Sequence, residues 1–173
     1  YDVSQIDVAG DMLLEREKTL SMISLEEGET FRGQKLRSDL KRFQSIYKDR
    51  GFAYARVLPQ TQPNRQAQTV DVTYQFRKGK KVRLGRIEVT GNTKTRDRVI
   101  RRELAIQEGD WYSKSAIDRS KQAVKRLGYF KKVNITTQRS ERDGYINAKV
   151  QVQERKTGNF QVGAGFSSTE SFI

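Results

Sequence analysis

Ile6-Asp7-Val8-Ala9-Gly10 returns as Ile87-Glu88-Val89-Thr90-Gly91, 81 residues later. At the same spacing, Leu25-Glu26-Glu27-Gly28-Glu29-Thr30-Phe31 returns as Ile106-Gln107-Glu108-Gly109-Asp110-Trp111-Tyr112. Arg50-Gly51-Phe52 then returns as Leu127-Gly128-Tyr129 at a spacing of 77, so the copies differ by about one helical turn. A repeat this long, with room for a small core in each copy, means tandem domains rather than short solenoid units. Tandem small modules bind or hold other molecules more often than they catalyse.

Each copy opens with a strand, residues 2–9 and 82–90. In both the apolar phase switches partway, from Tyr1 and Val3 to Ile6 and Val8, and from Val82 and Leu84 to Ile87 and Val89. Because alternate strand residues face opposite sides, the early pair is expected to leave the core face and meet the neighbouring domain. A short helix follows at residues 15–23 and 96–105; Thr95 is placed to cap the second and Asp97 suits its positive end. A longer helix carries Leu36, Leu40, Phe43 and Tyr47 in one copy and Ile117, Val124 and Leu127 in the other. Gly51 and Gly128 sit where a left-handed helix C-cap belongs. Two strands close each copy: residues 53–58 and 131–138, then the alternating Val70, Val72, Tyr74, Phe76 and Ile146, Ala148, Val150, Val152. Residues 61–68, with Pro63, read as a loop, and Asp143-Gly144 as a hairpin turn. The fold class is α+β: two tandem β-α-α-β-β domains, each with two helices on one face of a three-stranded mixed sheet. The boundaries fall at 1–79 and 80–157, with a tail at 158–173.

Composition excludes whole classes of chemistry. The chain has 173 residues with no cysteine and no histidine, which removes disulfides, Cys/His metal sites, thiol nucleophiles and imidazole triads. No metal or other cofactor is expected, and Glu26, Glu27 and Glu29 read as solvated carboxylates flanking a turn. No apolar run approaches a membrane helix. Nothing at the start resembles a signal peptide, and the chain opens directly on a strand, as a fragment of a longer protein would. The net charge of +13 is unevenly shared: residues 1–79 hold 13 Lys and Arg against 11 Asp and Glu, residues 80–157 hold 21 against 9. A basic domain beside a near-neutral one implies an anionic neighbour such as lipid head groups, an acidic partner or nucleic acid; solubility alone is the plainer alternative. In the tail, Phe160, Val162, Ala164 and Phe166 alternate with small or polar residues, as in a transmembrane β-strand or an ordinary edge strand.

The β-α-α-β-β unit with I-x-V-x-G, (L/I)-x-E-G and a helix-ending (R/L)-G-(F/Y) resembles the POTRA domain family. Gly91-Asn92, Val99-Ile100-Arg101-Arg102-Glu103, Glu108-Gly109-Asp110-Trp111 and Arg126-Leu127-Gly128-Tyr129-Phe130 resemble the last POTRA domain of the outer-membrane protein assembly factors. The run from Gln153 through Gly158 and Phe160 to Gly163-Ala164-Gly165-Phe166 resembles their junction with the first barrel strand. The resemblance covers the whole chain, as fourth and fifth POTRA domains plus the start of a barrel. It departs from the family pattern at Asp11-Met12-Leu13-Leu14, where a more polar loop is usual.

The resemblance implies a non-enzymatic, periplasmic portion of a bacterial outer-membrane protein. Its implied partners are unfolded outer-membrane proteins, a BamD-like helical-repeat lipoprotein with other assembly-machinery subunits, and the chain's own C-terminal β-barrel. Arg101 and Glu108 match the docking positions and are expected near each other; an ordinary surface charge pair is the alternative. The penultimate strands, with Tyr54, Arg56 and Val57 in one copy and Val133 and Ile135 in the other, are expected at sheet edges able to accept a guest strand. The second domain's charge would face anionic lipid head groups. A related secretion channel and a basic nucleic-acid-binding module are the competing readings, and no nucleic acid is expected, because Phe52 and Tyr129, each just after a glycine cap, suit core packing.

Overall fold

The computed structural model describes residues 1–156; the junction residues Gly158 and Phe160 and the alternating tail lie outside the described residues. The first domain comprises β1 (Asp2–Gly10), α1 (Arg16–Ser21), α2 (Gly33–Asp49), β2 (Arg56–Asn64) and β3 (Thr69–Arg77). The second repeats the order as β4 (Arg83–Thr90), α3 (Asp97–Arg101), α4 (Lys114–Arg126), β5 (Phe130–Arg139) and β6 (Tyr145–Glu154). The sheets are ordered β1-β3-β2 and β4-β6-β5. The first strand of each runs parallel to the central one and the penultimate strand antiparallel to it, giving mixed sheets.

Helix α2 forms because its apolar side chains recur on one face, and that face is buried: Leu36, Phe43 and Tyr47 are almost wholly inaccessible. Its end follows from Gly51, whose φ of 98° a side chain would resist. The Gly51 and Phe52 N–H groups turn back to the carbonyls of Lys48 and Tyr47, closing the helix. The first core is aromatic, with Phe43 edge-on to Tyr74 and Phe76 and Tyr47 stacked on Phe76. The second is aliphatic, built on Leu84, Ile100, Val124 and Val150. Each such side chain contributes about 1.5–3 kcal/mol by leaving water.

The phase switch in the opening strands has another cause than a change of face. Val3, Val8, Val82, Leu84 and Ile87 are all buried in their own domain's core. The pairing register slips between Val3 and Gln5 and between Leu84 and Ile87. Each opening strand carries a bulge, and the extra residue restores the later apolar pair to the same face. Val3, Val82 and Leu84 therefore pack inward, whereas Tyr1 stays 48% exposed.

The first helices are shorter than expected, and Thr95 does not cap α3. The residue before α3 is Arg96, which makes no side-chain cap, while the Thr95 hydroxyl donates to Glu154 Oε2 at 2.8 Å. The penultimate strand of the first domain starts later and runs further than expected. It continues through Pro59 and Pro63 to Asn64, so the first half of the expected loop is strand and only residues 65–68 turn. Tyr54 falls in the turn before it, with the Arg139 guanidinium 4.7 Å from its ring centroid. The apolar segment after Asp11 folds inward: Met12 and Leu13 pack on the core, and the Tyr47 hydroxyl donates to the Asp11 carbonyl and accepts from Leu13 N–H.

Candidate functional site

A sheet edge can accept a strand only where its outward N–H and C=O groups are unclaimed. On β1, Val3 N–H donates to the Glu29 carbonyl and the Val3 carbonyl accepts from Gly28 N–H. On β4, Leu84 N–H donates to the Asp110 carbonyl and the Leu84 carbonyl accepts from Gly109 N–H. The repeated Glu-Gly turn is thus the cover of each opening strand. At the bulges, Glu27 accepts Ile6 N–H at 3.1 Å and Glu108 accepts Ile87 N–H at 2.9 Å. Glu27 is exposed yet bonded, not simply solvated.

The other two edges differ from each other. Alternate residues of an antiparallel strand turn both backbone groups to one side. β2 holds unbroken register with β3, and Val57 N–H leaves the ladder to reach Gln44 Oε1 at 3.0 Å, so residues 57, 59, 61 and 63 face outward. Two of those are prolines, which have no N–H, and one donor is taken by Gln44; Thr61 alone keeps a free N–H. Arg56 faces the ladder. β5 holds unbroken register from Lys132, and Ser140 N–H donates to the Tyr145 carbonyl, so Val133, Ile135, Thr137 and Arg139 face outward. None is proline, and Lys121, at the position of Gln44, has no acceptor to offer. Among the described residues β5 is the edge with a continuous unclaimed ladder. The blocking residues Gln44, Pro59 and Pro63 were missed from sequence; two prolines spaced four apart beside an apolar strand are the signal of a closed edge.

Arg101 and Glu108 are both exposed, but no ion pair joins them. Arg101 lies 3.7 Å from Asp97 one turn earlier, whereas Glu108 Oε2 holds the β4 bulge. Glu108 and Gly109 also line an open polar cleft with Arg86, Arg139 and Arg142. Tyr129, expected in the core, is 53% exposed, whereas Phe52 is partly buried against the first core. The aromatic after the second glycine cap is a surface residue. The chain offers no group of His, Cys, Asp and Glu able to hold a metal among the described residues, and no helix there is long and apolar enough to cross a membrane.

The POTRA family model, described as a surface antigen variable number repeat, matches residues 1–79 and again 82–155. The chain belongs to the POTRA family. Among curated proteins, this POTRA pair is 31% identical over 176 residues to the outer membrane protein assembly factor BamA of Nitratidesulfovibrio vulgaris, covering 99% of this chain and 22% of that protein. It is 33% identical over 146 residues to BamA of Neisseria meningitidis serogroup B, covering 84% and 18%. The chain spans about a fifth of the length of these relatives. Among solved structures, BamA POTRA3-5 of Haemophilus influenzae has the same fold, with a TM-score of 0.81 at 21% identity, covering 89% of this chain and 61% of that one. BamA of Haemophilus ducreyi lacking POTRA domains 1-3 matches with a TM-score of 0.77 at 25% identity, over 91% and 30%.

Proposed function

We propose that this POTRA pair is a non-enzymatic periplasmic scaffold of outer-membrane β-barrel assembly, and that its second domain receives unfolded barrel strands on β5. The observation that carries the reading is the unclaimed ladder of β5, against a β2 edge blocked by its prolines and Gln44 and opening strands covered from their first residues to the bulge. Main-chain hydrogen bonding is nearly blind to side chains, which suits a factor serving many substrates. Amide exchange with an unfolded barrel peptide tests it. Protection is expected to rise at Val133, Ile135, Thr137 and Arg139 and to stay unchanged along β2; no protection at β5 would overturn it. The expected guest sites at Arg56 and Val57 are thereby withdrawn in favour of Val133 and Ile135.

The cleft beside Glu108 is the proposed docking surface for a BamD-like lipoprotein, with Arg101 on the neighbouring helix. Since Glu108 also closes the bulge, charge reversal there would confound docking with folding. Glu108→Gln keeps an oxygen for Ile87 N–H and removes only the charge, so weaker lipoprotein co-purification at an unchanged melting temperature is the expected result. Undiminished co-purification would count against the site. The second domain lies next to the membrane in this reading, its basic surface toward anionic head groups.

A further inference from the structure

We infer that the second domain carries a discrete site for an anionic phospholipid, in the groove beside Tyr129. The groove has a volume of about 710 Å³, and Val99, Leu127 and Tyr129 supply its apolar wall. Lys94, Arg96, Arg102 and Arg155 stand around it. The one acid in the lining among the described residues, Glu154, is tied down: it accepts from Thr93 Oγ1 at 2.6 Å, from Lys94 N–H at 3.0 Å, and from Thr95 N–H at 2.7 Å. These bonds hold its carboxylate against the loop that carries Lys94, and of the four cations Arg102 alone has an ion-pair partner among the described residues, Glu103 at 3.9 Å. The groove therefore presents concentrated positive charge over an apolar wall.

That pairing is amphipathic in the way a bilayer interface is. Lys and Arg can lay their stems along apolar surface with the charge toward a phosphate, and an exposed Tyr places its ring among acyl carbons with its hydroxyl at the head groups. An acidic peptide would satisfy the cations but not the apolar wall of Val99, Leu127 and Tyr129. Arg155 N–H donates to the Tyr129 carbonyl at 3.0 Å, which fixes the end of β6 beside the groove. The inference rests on the membrane-proximal placement proposed above.

The test is flotation of the 173-residue chain with vesicles of phosphatidylcholine alone and with added phosphatidylglycerol. Binding is expected only to the anionic vesicles. The double reversal Arg96→Glu with Arg102→Glu should weaken it by about tenfold or more, and the equal charge change Arg119→Glu with Lys149→Glu, away from the groove, by less than about twofold. Tyr129→Ser, which leaves net charge unchanged, should also weaken it. Equal losses in the two reversals would reduce the site to diffuse charge and overturn it, as would preference for a poly-glutamate peptide over vesicles. Absent vesicle binding in a chain whose β5 still captures a barrel peptide would sink the lipid site while leaving the scaffold reading intact.

Discussion

The N–H of Ser24 donates to the carboxylate of Asp39, which is wholly buried and also accepts from the Tyr74 hydroxyl at 2.8 Å. At the matching position of the second domain, Ala105 N–H donates at 2.8 Å to the buried Ser120 hydroxyl. One backbone donor is satisfied by a charge in one copy and a neutral group in the other. Asp39→Ala orphans the Ser24 and Tyr74 donors, also breaks the ion pair to the more exposed Arg42, and should cost about 2–4 kcal/mol in the first-domain transition; Ser120→Ala orphans one donor and should cost about 1–3 kcal/mol in the second, both read by urea unfolding. Burial, then the bond to Asp39, pushes the Tyr74 hydroxyl far above its usual range, so alkali does not ionise it in the folded state. Glu154 is displaced in the opposite sense. Its bond to Thr93, with those to Thr95 and Lys94, lowers its pKa from 4.5 to about 2 against the opposing effect of desolvation. A depressed folded pKa stabilises above the unfolded value, and the contribution is lost as pH falls from about 4.5 through about 2. Glu154→Gln should flatten that part of the second-domain stability profile; identical slopes in thermal melts would refute the assignment.

At the level of the element, β2 shows that proline is tolerated at outward-facing edge positions, because no ladder bond is lost there. Thr137→Pro in β5 puts the same feature on the open edge. It should abolish peptide-induced amide protection across β5 while the unfolding midpoint moves by no more than about 1 kcal/mol, and retained protection would show that the guest binds elsewhere. The same prolines explain why the strand's extent was illegible in sequence: proline argues against a strand unless its edge position is already known. The helical periodicities, the glycine cap of α2 and the β-α-α-β-β order were legible because each is written in local spacing. The bulges were visible only as a shift in apolar phase, which a change of face explains equally well until the pairing register is seen. Tyr129 failed as a core prediction because a place after a glycine cap does not itself fix burial: Phe52 N–H turns back to the Tyr47 carbonyl, a bond Tyr129 does not repeat among the described residues. Of the candidate site, the place of β5 at a sheet edge was legible; the bond that occupies Glu108 was not, since it joins residues 21 apart.

The two domains meet through a joint that one carboxylate spans. Asp49, the last residue of α2, accepts Ser115 N–H at 2.6 Å in the first turn of α4. That helix already has a cap in Ser113, whose Oγ accepts from Ala116 N–H, so Asp49 adds a negative charge from another domain at its positive end. Around it, Val82 N–H donates to the Gly51 carbonyl at 2.8 Å, Ala53 packs against the second core, and the Lys81 stem lies over Gly51, where an added Cβ would come within 2.7 Å of it. Lys81 then reaches Trp111, with its ammonium 4.2 Å from the ring centroid, and Arg83 stacks at 3.8 Å. The joint is therefore bonded through backbone and helix end, and by the Arg139 guanidinium of the second domain over the Tyr54 ring of the first. Asp49→Ala removes the spanning carboxylate without touching either core. A capping interaction of this kind contributes about 0.5–2 kcal/mol, too little to unfold a domain but enough to shift a joint between held and open. The expected result is two domain transitions at nearly unchanged midpoints together with a broader distribution of interdomain distances by paired spin labels. An unchanged distribution would mean that the Val82–Gly51 bond and the Arg139–Tyr54 contact hold the joint without Asp49, and the combined variant with Tyr54→Ala would then be the one to open it.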